Sequence, residues 1–225
     1  MYETILFDLD GTLTDSGVGI TNSVAYALNK FGISVKDKTQ LFKFIGPPLQ
    51  ASFEKYYEFS KEQAKMAVEY YREYYCSQGI FENKVYEGIE KLLKAIYDSG
   101  KNMMVATSKP ELFAKRILEH FDLAKYFTCI AGADMDGAKT KKDEVITYAL
   151  EKCKISDYSK VVMIGDREHD VIGANKVGID SIGVLFGYGD YEELKRAGAS
   201  YIVKNVEDIY AIIIGSERLN ENVFC

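Results

Sequence analysis

Thr4-Ile5-Leu6-Phe7-Asp8-Leu9-Asp10-Gly11-Thr12-Leu13-Thr14 is the stretch whose reading decides the fold. Thr4 to Phe7 is an apolar run that predicts a buried strand, and it ends in two aspartates two residues apart. On an extended segment, side chains at i and i+2 point the same way, so Asp8 and Asp10 come close. Like charges at that range need a cation or a shared proton. A hard divalent cation with oxygen ligands, ordinarily magnesium (Mg2+), meets that need. Gly11 lets the chain turn sharply where a side chain would clash.

C-terminal to this strand, Ile20, Val24, Leu28 and Phe31 recur at helical spacing, and Gly32 reads as the terminator. No strand is evident from Ser16 to Gly79. Gly46-Pro47-Pro48 marks a turn, and Ser60 to Cys76 is helical and rich in tyrosine. This is an all-helical block between strands. Beyond it the chain alternates. A helix from about Gly88 to Asp98 precedes a strand at Met103 to Ala106, and the next helix carries Phe113, Ile117, Leu118 and Phe121. Further strands are expected at Phe127 to Ala131, Val161 to Ile164, Ser181 to Leu185 and Tyr201 to Val203. Helices are expected over Val145 to Cys153 and up to Gly178. Strands alternating with helices imply a parallel sheet covered on both faces. The expected fold class is therefore α/β, with a Rossmann-like three-layer core over residues 1–15 and 82–225 and an inserted helical domain over 16–81.

Composition sets the outer limits. A net charge of -6 disfavours a nucleic-acid polymer as partner but allows a small anion in a local positive pocket. No apolar run is long enough to span a membrane. Cys76, Cys129, Cys153 and Cys225 form neither a CxxC pair nor a zinc spacing, which fits reduced thiols in a cytoplasmic protein. A core strand starting at Thr4 leaves no room for a signal peptide.

In open parallel sheets ligands bind beyond the carboxyl ends of the strands. The residues there are Asp8 and Asp10, then Thr107 and Ser108, then Asp166, with Asp170 four residues on and able to share a helical face with it. Burying so many carboxylates together is costly without a metal. In Thr107-Ser108-Lys109-Pro110, Pro110 suits the first helical position with Ser108 or Lys109 as cap, giving an anion site of free backbone N–H groups. Thr140 and Asp143 resemble a capping arrangement that puts Lys142 in the first helical turn. A cation there opposes the helix dipole, which suggests a role in neutralising bound phosphate. Lys139 and Lys141 read as solvated. His120 and His169 are given no catalytic role.

This pattern resembles the haloacid dehalogenase superfamily of phosphatases over nearly the whole chain, nearest its phosphoglycolate phosphatase and 5′-nucleotidase-like branch. Asp8 to Leu13 matches the first motif, Thr107 the second, Lys142 the third and Gly165-Asp166 through Asp170 the fourth. The helical block matches the cap inserted after the first motif. The resemblance implies Asp8 as nucleophile, Asp10 as acid/base, Thr107 and Lys142 on the phosphoryl oxygens, and Ser108 as a helper. It implies magnesium held by Asp8, the Asp10 backbone carbonyl and Asp166, with Asp170 nearby. Gly46, in a cap loop, and Arg72 are candidate substrate contacts. Asp143 stands where many relatives have proline, which leaves Lys141 as a minor rival to Lys142. The expected substrate is a small phosphomonoester, a 5′-nucleotide or phosphoglycolate, handled by a monomer or homodimer. A sugar-phosphate mutase and a non-enzymatic phospho-acceptor are the alternatives.

Overall fold

The computed structural model describes residues 1–135 and 141–215. In chain order β1 (Thr4–Phe7) and the short β2 (Thr14–Asp15) precede α1 (Gly17–Lys30), α2 (Leu49–Tyr57) and α3 (Lys61–Ser77). β3 (Lys84–Val85) leads to α4 (Ile89–Asp98), β4 (Asn102–Pro110), α5 (Glu111–His120), β5 (Cys129–Ala133) and α6 (Lys142–Lys152). Then follow β6 (Val161–Gly165), α7 (Glu168–Val177), β7 (Asp180–Val184), α8 (Tyr191–Ala197), β8 (Tyr201–Val203) and α9 (Val206–Ile214).

Six strands make a parallel sheet in the order β5-β4-β1-β6-β7-β8, flanked by helices in a Rossmann-like α/β arrangement. β1 lies between β4 and β6, with Leu6 in register with Met104 on one side and Met163 on the other. Those three side chains pack with Val145, Ile146 and Ala149 of α6 and Ala174 of α7. Every residue of β1 is buried, which is why its sequence runs apolar instead of alternating. Each such fully buried aliphatic side chain contributes about 1.5–3 kcal/mol. From β1 the chain builds outward through β4 to β5, then crosses to β6 on the other side of β1. The strand order thus reverses at β1, and the crevice beyond its carboxyl end is where such sheets bind ligands.

Thr14–Lys84 forms a second compact unit, set off from Met1–Leu13 and the chain from Val85 onward. Among its described residues no strand occurs between Ser16 and Gly79. α1 ends as expected at Gly32, whose φ of 75° accompanies N–H bonds from Gly32 to Asn29 and from Ile33 to Leu28. α3 starts at a capping box in which the Gln63 N–H donates to Ser60 Oγ and the Ser60 N–H to Gln63 Oε1. β2 and β3 pair where the chain enters and leaves this unit, and Lys84 Nζ lies 3.2 Å from Asp15 there. No helix among the described residues is long and apolar enough to cross a membrane.

Several boundaries differ from the sequence expectations. β5 begins at Cys129, because Ala124–Tyr126 is a 3-10 turn and Phe127 is the residue that ends it, its ring edge-on to Phe7 with centroids 6.1 Å apart. β4 runs to Pro110, past the expected end at Ala106, with a register slip against β5 between Thr107 and Pro110. α8 and α9 have no counterpart in the pattern read from sequence. The first is only 7 residues long, and the second buries Val206, Ile209 and Ile213 at helical spacing over just 9 residues.

Candidate active site

The crevice beyond β1 collects acidic side chains. Asp8 follows β1 directly, with its N–H bonded to the Ile164 carbonyl on β6. Asp166 follows β6 and is fully buried. Its Oδ2 accepts the Tyr188 N–H at 2.8 Å, and Thr12 Oγ1 lies 3.5 Å from its Oδ1. Asp170 is the third residue of α7, and its Oδ2 accepts the Arg167 N–H. Asp8, Asp166 and Asp170 each offer an oxygen within 4.8 Å of the others, and all three are buried. Asp166 and Asp170 do not meet on a shared helical face as the spacing suggested. Asp166 precedes α7, and the turn into the helix brings the two together.

Glycines make this convergence possible. Gly11 has φ 83°, and a Cβ there would stand 2.2 Å from Asp166 Oδ2. A Cβ on Gly165 would stand 2.2 Å from the Asp170 carboxyl carbon. No other residue type fits at either place without moving a carboxylate.

Lys142, first residue of α6, balances part of the charge. Its ammonium donates to Asp8 Oδ1 at 2.8 Å and to the Ala106 carbonyl at 3.0 Å, and lies 2.7 Å from Asp170 Oδ1. Burial pulls its pKa down, but Asp170 and Asp8 outweigh that and hold it above the ordinary lysine value. Lys141 is exposed, so of the two lysines it is Lys142 that meets the carboxylates. The capping expectation is corrected at one point. Lys141 occupies the cap position and its N–H faces Glu144 at 3.4 Å, while Asp143 faces Lys176. Thr140 and Lys139 lie outside the described residues.

One lysine does not neutralise three carboxylates. Burial, then Asp170 and Asp8, push the Asp166 carboxyl well above its usual range. Asp170 rises to about 6, first by burial and then by Asp8, against the lowering effect of Lys142. Oxygen donors, burial and uncompensated negative charge are the chemistry of a hard divalent cation site, so these residues fit magnesium.

Asp10 stands apart from that triad. Its Oδ2 pairs with Lys109 Nζ at 2.8 Å. Its Oδ1 is buried with no hydrogen-bond partner among the described residues. Thr107 is buried within β4, three residues before its end, and its hydroxyl accepts the Lys109 N–H at 3.2 Å. Ser108 is half-buried. Neither Ser108 nor Lys109 caps a helix as expected, because the chain stays extended through Pro110 and α5 starts only at Glu111. A residue before proline is driven out of the helical region, and that was the readable signal that Lys109 continues the strand inward. Lys109 was therefore missed as a site residue.

Gly46 and Arg72 belong to the helical unit. Gly46 has φ 99° in the turn before α2, and the Arg72 guanidinium pairs with Glu69 at 3.1 Å. His120 ends α5, and His169 is held neutral more strongly than usual by burial. Neither is in the carboxylate triad.

With this geometry in place, residues 5–184 match the model of the haloacid dehalogenase-like hydrolases. The chain belongs to that family. A 5′-nucleotidase of Pseudomonas aeruginosa is 44% identical over 194 residues, covering 86% of this chain and 87% of that one. The tyrosine-protein kinase PtkA of Mycobacterium tuberculosis is 37% identical over 200 residues, covering 89% of this chain and 68% of its own. The crystal structure of a predicted phosphatase from Clostridium acetobutylicum superposes with a TM-score of 0.93 at 55% identity, covering 95% of this chain and 99% of that one. Within the family the chain is a hydrolase of the phosphatase kind.

Proposed function

We propose that the chain is a magnesium-dependent phosphomonoesterase that works through an aspartyl-phosphate on Asp8. The observation that carries this reading is the buried set of Asp8, Asp166 and Asp170 with Lys142 at the strand-order reversal. A carboxylate oxygen of Asp8 attacks phosphorus, and the ester P–O bond breaks. Asp10 gives its proton to the departing alkoxide. Asp10 then takes a proton from the water that cleaves the acyl-phosphate, releasing inorganic phosphate and restoring Asp8. Lys142, already 2.8 Å from Asp8, and the Thr107 hydroxyl hold the transferring oxygens, with Ser108 beside them. Asp8, Asp166 and the Asp10 carbonyl would hold magnesium, with Asp170 close by. When bound, the ion neutralises charge on the phosphoryl group.

The substrate is a small phosphomonoester. A nucleoside 5′-monophosphate ranks first on the likeness to the Pseudomonas 5′-nucleotidase, and phosphoglycolate second. Residues 16–81 act as the cap that selects it, with the Gly46 loop and Arg72 as contacts. The kinase name of the Mycobacterium relative favours one second reading, transfer of the phosphoryl group to an acceptor other than water. Product analysis separates the two. Free phosphate in equimolar yield with alcohol supports hydrolysis, and a phosphorylated acceptor or an isomerised sugar phosphate overturns it.

A further inference from the structure

The carboxylate of Asp10 pairs with Lys109, and that pair is nearly closed to solvent. Nζ to Oδ2 is 2.8 Å, with 6% of the lysine side chain and 9% of the aspartate side chain exposed. Lys142 is occupied elsewhere, with Asp8, Asp170 and the Ala106 carbonyl. Of the two buried lysines, Lys142 thus meets Asp8 and Asp170, and Lys109 meets Asp10.

The backbone of Lys109 is held from several directions. Its N–H donates to Thr107 Oγ1, and Pro110 keeps its backbone extended. β5 approaches so closely at Gly132 that a Cβ there would lie 2.6 Å from the Lys109 carbonyl oxygen. The slip in β4–β5 register falls on the same residues. Thr107 and Lys109 are two apart on β4 and share its inward face.

The result is a carboxylate fastened by one oxygen. Lys109 holds Oδ2, and Oδ1 is left buried without a partner among the described residues. An oxygen in that state has hydrogen-bonding capacity left unused.

We propose that Lys109 is a positioning residue, whose ion pair with one oxygen of Asp10 turns the other oxygen of that carboxylate to the leaving group. This rests on the reading of Asp10 as acid/base. The consequence is specific to leaving groups. An alkoxide needs the proton of Asp10, whereas p-nitrophenolate leaves without one.

The test compares rapid-quench phosphorylation rates on a nucleoside 5′-monophosphate and on p-nitrophenyl phosphate. It uses the wild type, Lys109→Met, Lys109→Arg and Asp10→Asn, each with saturating magnesium. In Lys109→Met the nucleotide rate falls about a hundredfold more than the p-nitrophenyl rate, with the substrate KM little moved and the pattern of Asp10→Asn reproduced. Lys109→Arg keeps the cation but not its compact shape, so the split between the esters is smaller and of the same sign. Its rates carry the test if the methionine variant does not fold. Equal losses on both esters in both variants would overturn the proposal in favour of a purely structural lysine. A rise in KM for the nucleotide alone would overturn it in favour of substrate binding. A wild type that phosphorylates itself from neither ester would instead bring down the functional reading on which the proposal rests.

Discussion

Replacing Lys142 by methionine removes the one ammonium that lies between Asp8 and Asp170, at 2.8 and 2.7 Å. Breaking a buried ion pair from one side costs about 3–5 kcal/mol, because the charge left behind keeps its desolvation penalty. The loss depends on pH in a direction fixed by the carboxylates. Asp170 is raised to about 6 and Asp166 is raised well above its normal value, so between the unfolded and folded pKa values the native state binds more protons than the unfolded one. Metal-free stability therefore falls as pH rises through that window and returns on acidification. For Asp170 alone the swing is at most about 3 kcal/mol. The raised Lys142 pKa adds no slope there, since a lysine held above its unfolded value keeps its contribution until pH passes that value. Urea unfolding of wild type and Lys142→Met, in chelator at pH 8 and pH 5.5, measures this directly. The variant should be about 3–5 kcal/mol weaker at pH 8 and should recover part of that at pH 5.5. Magnesium at 100 times its Kd should add about 2.7 kcal/mol to the wild type. A variant as stable as the wild type at pH 8, or a deficit of the same size at both pH values, would refute the reasoning.

Other changes act through separate parts of the molecule. Gly11→Ala puts a Cβ 2.2 Å from Asp166 Oδ2 at a φ of 83°, so backbone strain of about 1–2 kcal/mol adds to a displaced carboxylate. Calorimetric titration should show magnesium affinity lowered at least about tenfold. Ser60→Ala removes the acceptor for the Gln63 N–H at the start of α3, costing about 1 kcal/mol and lowering Tm by about 2–4 °C, with magnesium affinity unchanged. Leu6→Ala opens a cavity between the sheet and α6 and costs about 2–5 kcal/mol by urea unfolding.

Much of the architecture is carried by local signals that survive folding. The apolar run from Thr4 to Phe7 is buried on both faces of the sheet and can hardly be anything but a central strand. Asp8 and Asp166 are legible by position, as the residues directly after β1 and β6, whereas Thr107, read as lying past a strand, sits within β4 because that strand runs on to Pro110. Lys142 was singled out because a cation at a helix start opposes the dipole, and its partners explain the oddity. What stayed hidden depends on distant chain. That Asp10 takes a different partner from Asp8 follows from the bulged end of β4 against Gly132, which no neighbouring residue announces. The start of β5 at Cys129 follows the 3-10 turn of Ala124–Tyr126 that Phe127 ends, and α9 is short, with its buried Val206, Ile209 and Ile213 spread over only two turns.

The central claim is that Asp8 is the phosphoryl acceptor in a magnesium-dependent hydrolysis. Its most direct test is inorganic phosphate release from nucleoside 5′-monophosphates, phosphoglycolate and hexose phosphates, with magnesium or chelator, by the wild type and Asp8→Asn. The account predicts release by the wild type only when magnesium is present, and none above background from Asp8→Asn. Equal release by the variant, release undiminished in chelator, or no release from any ester would contradict it.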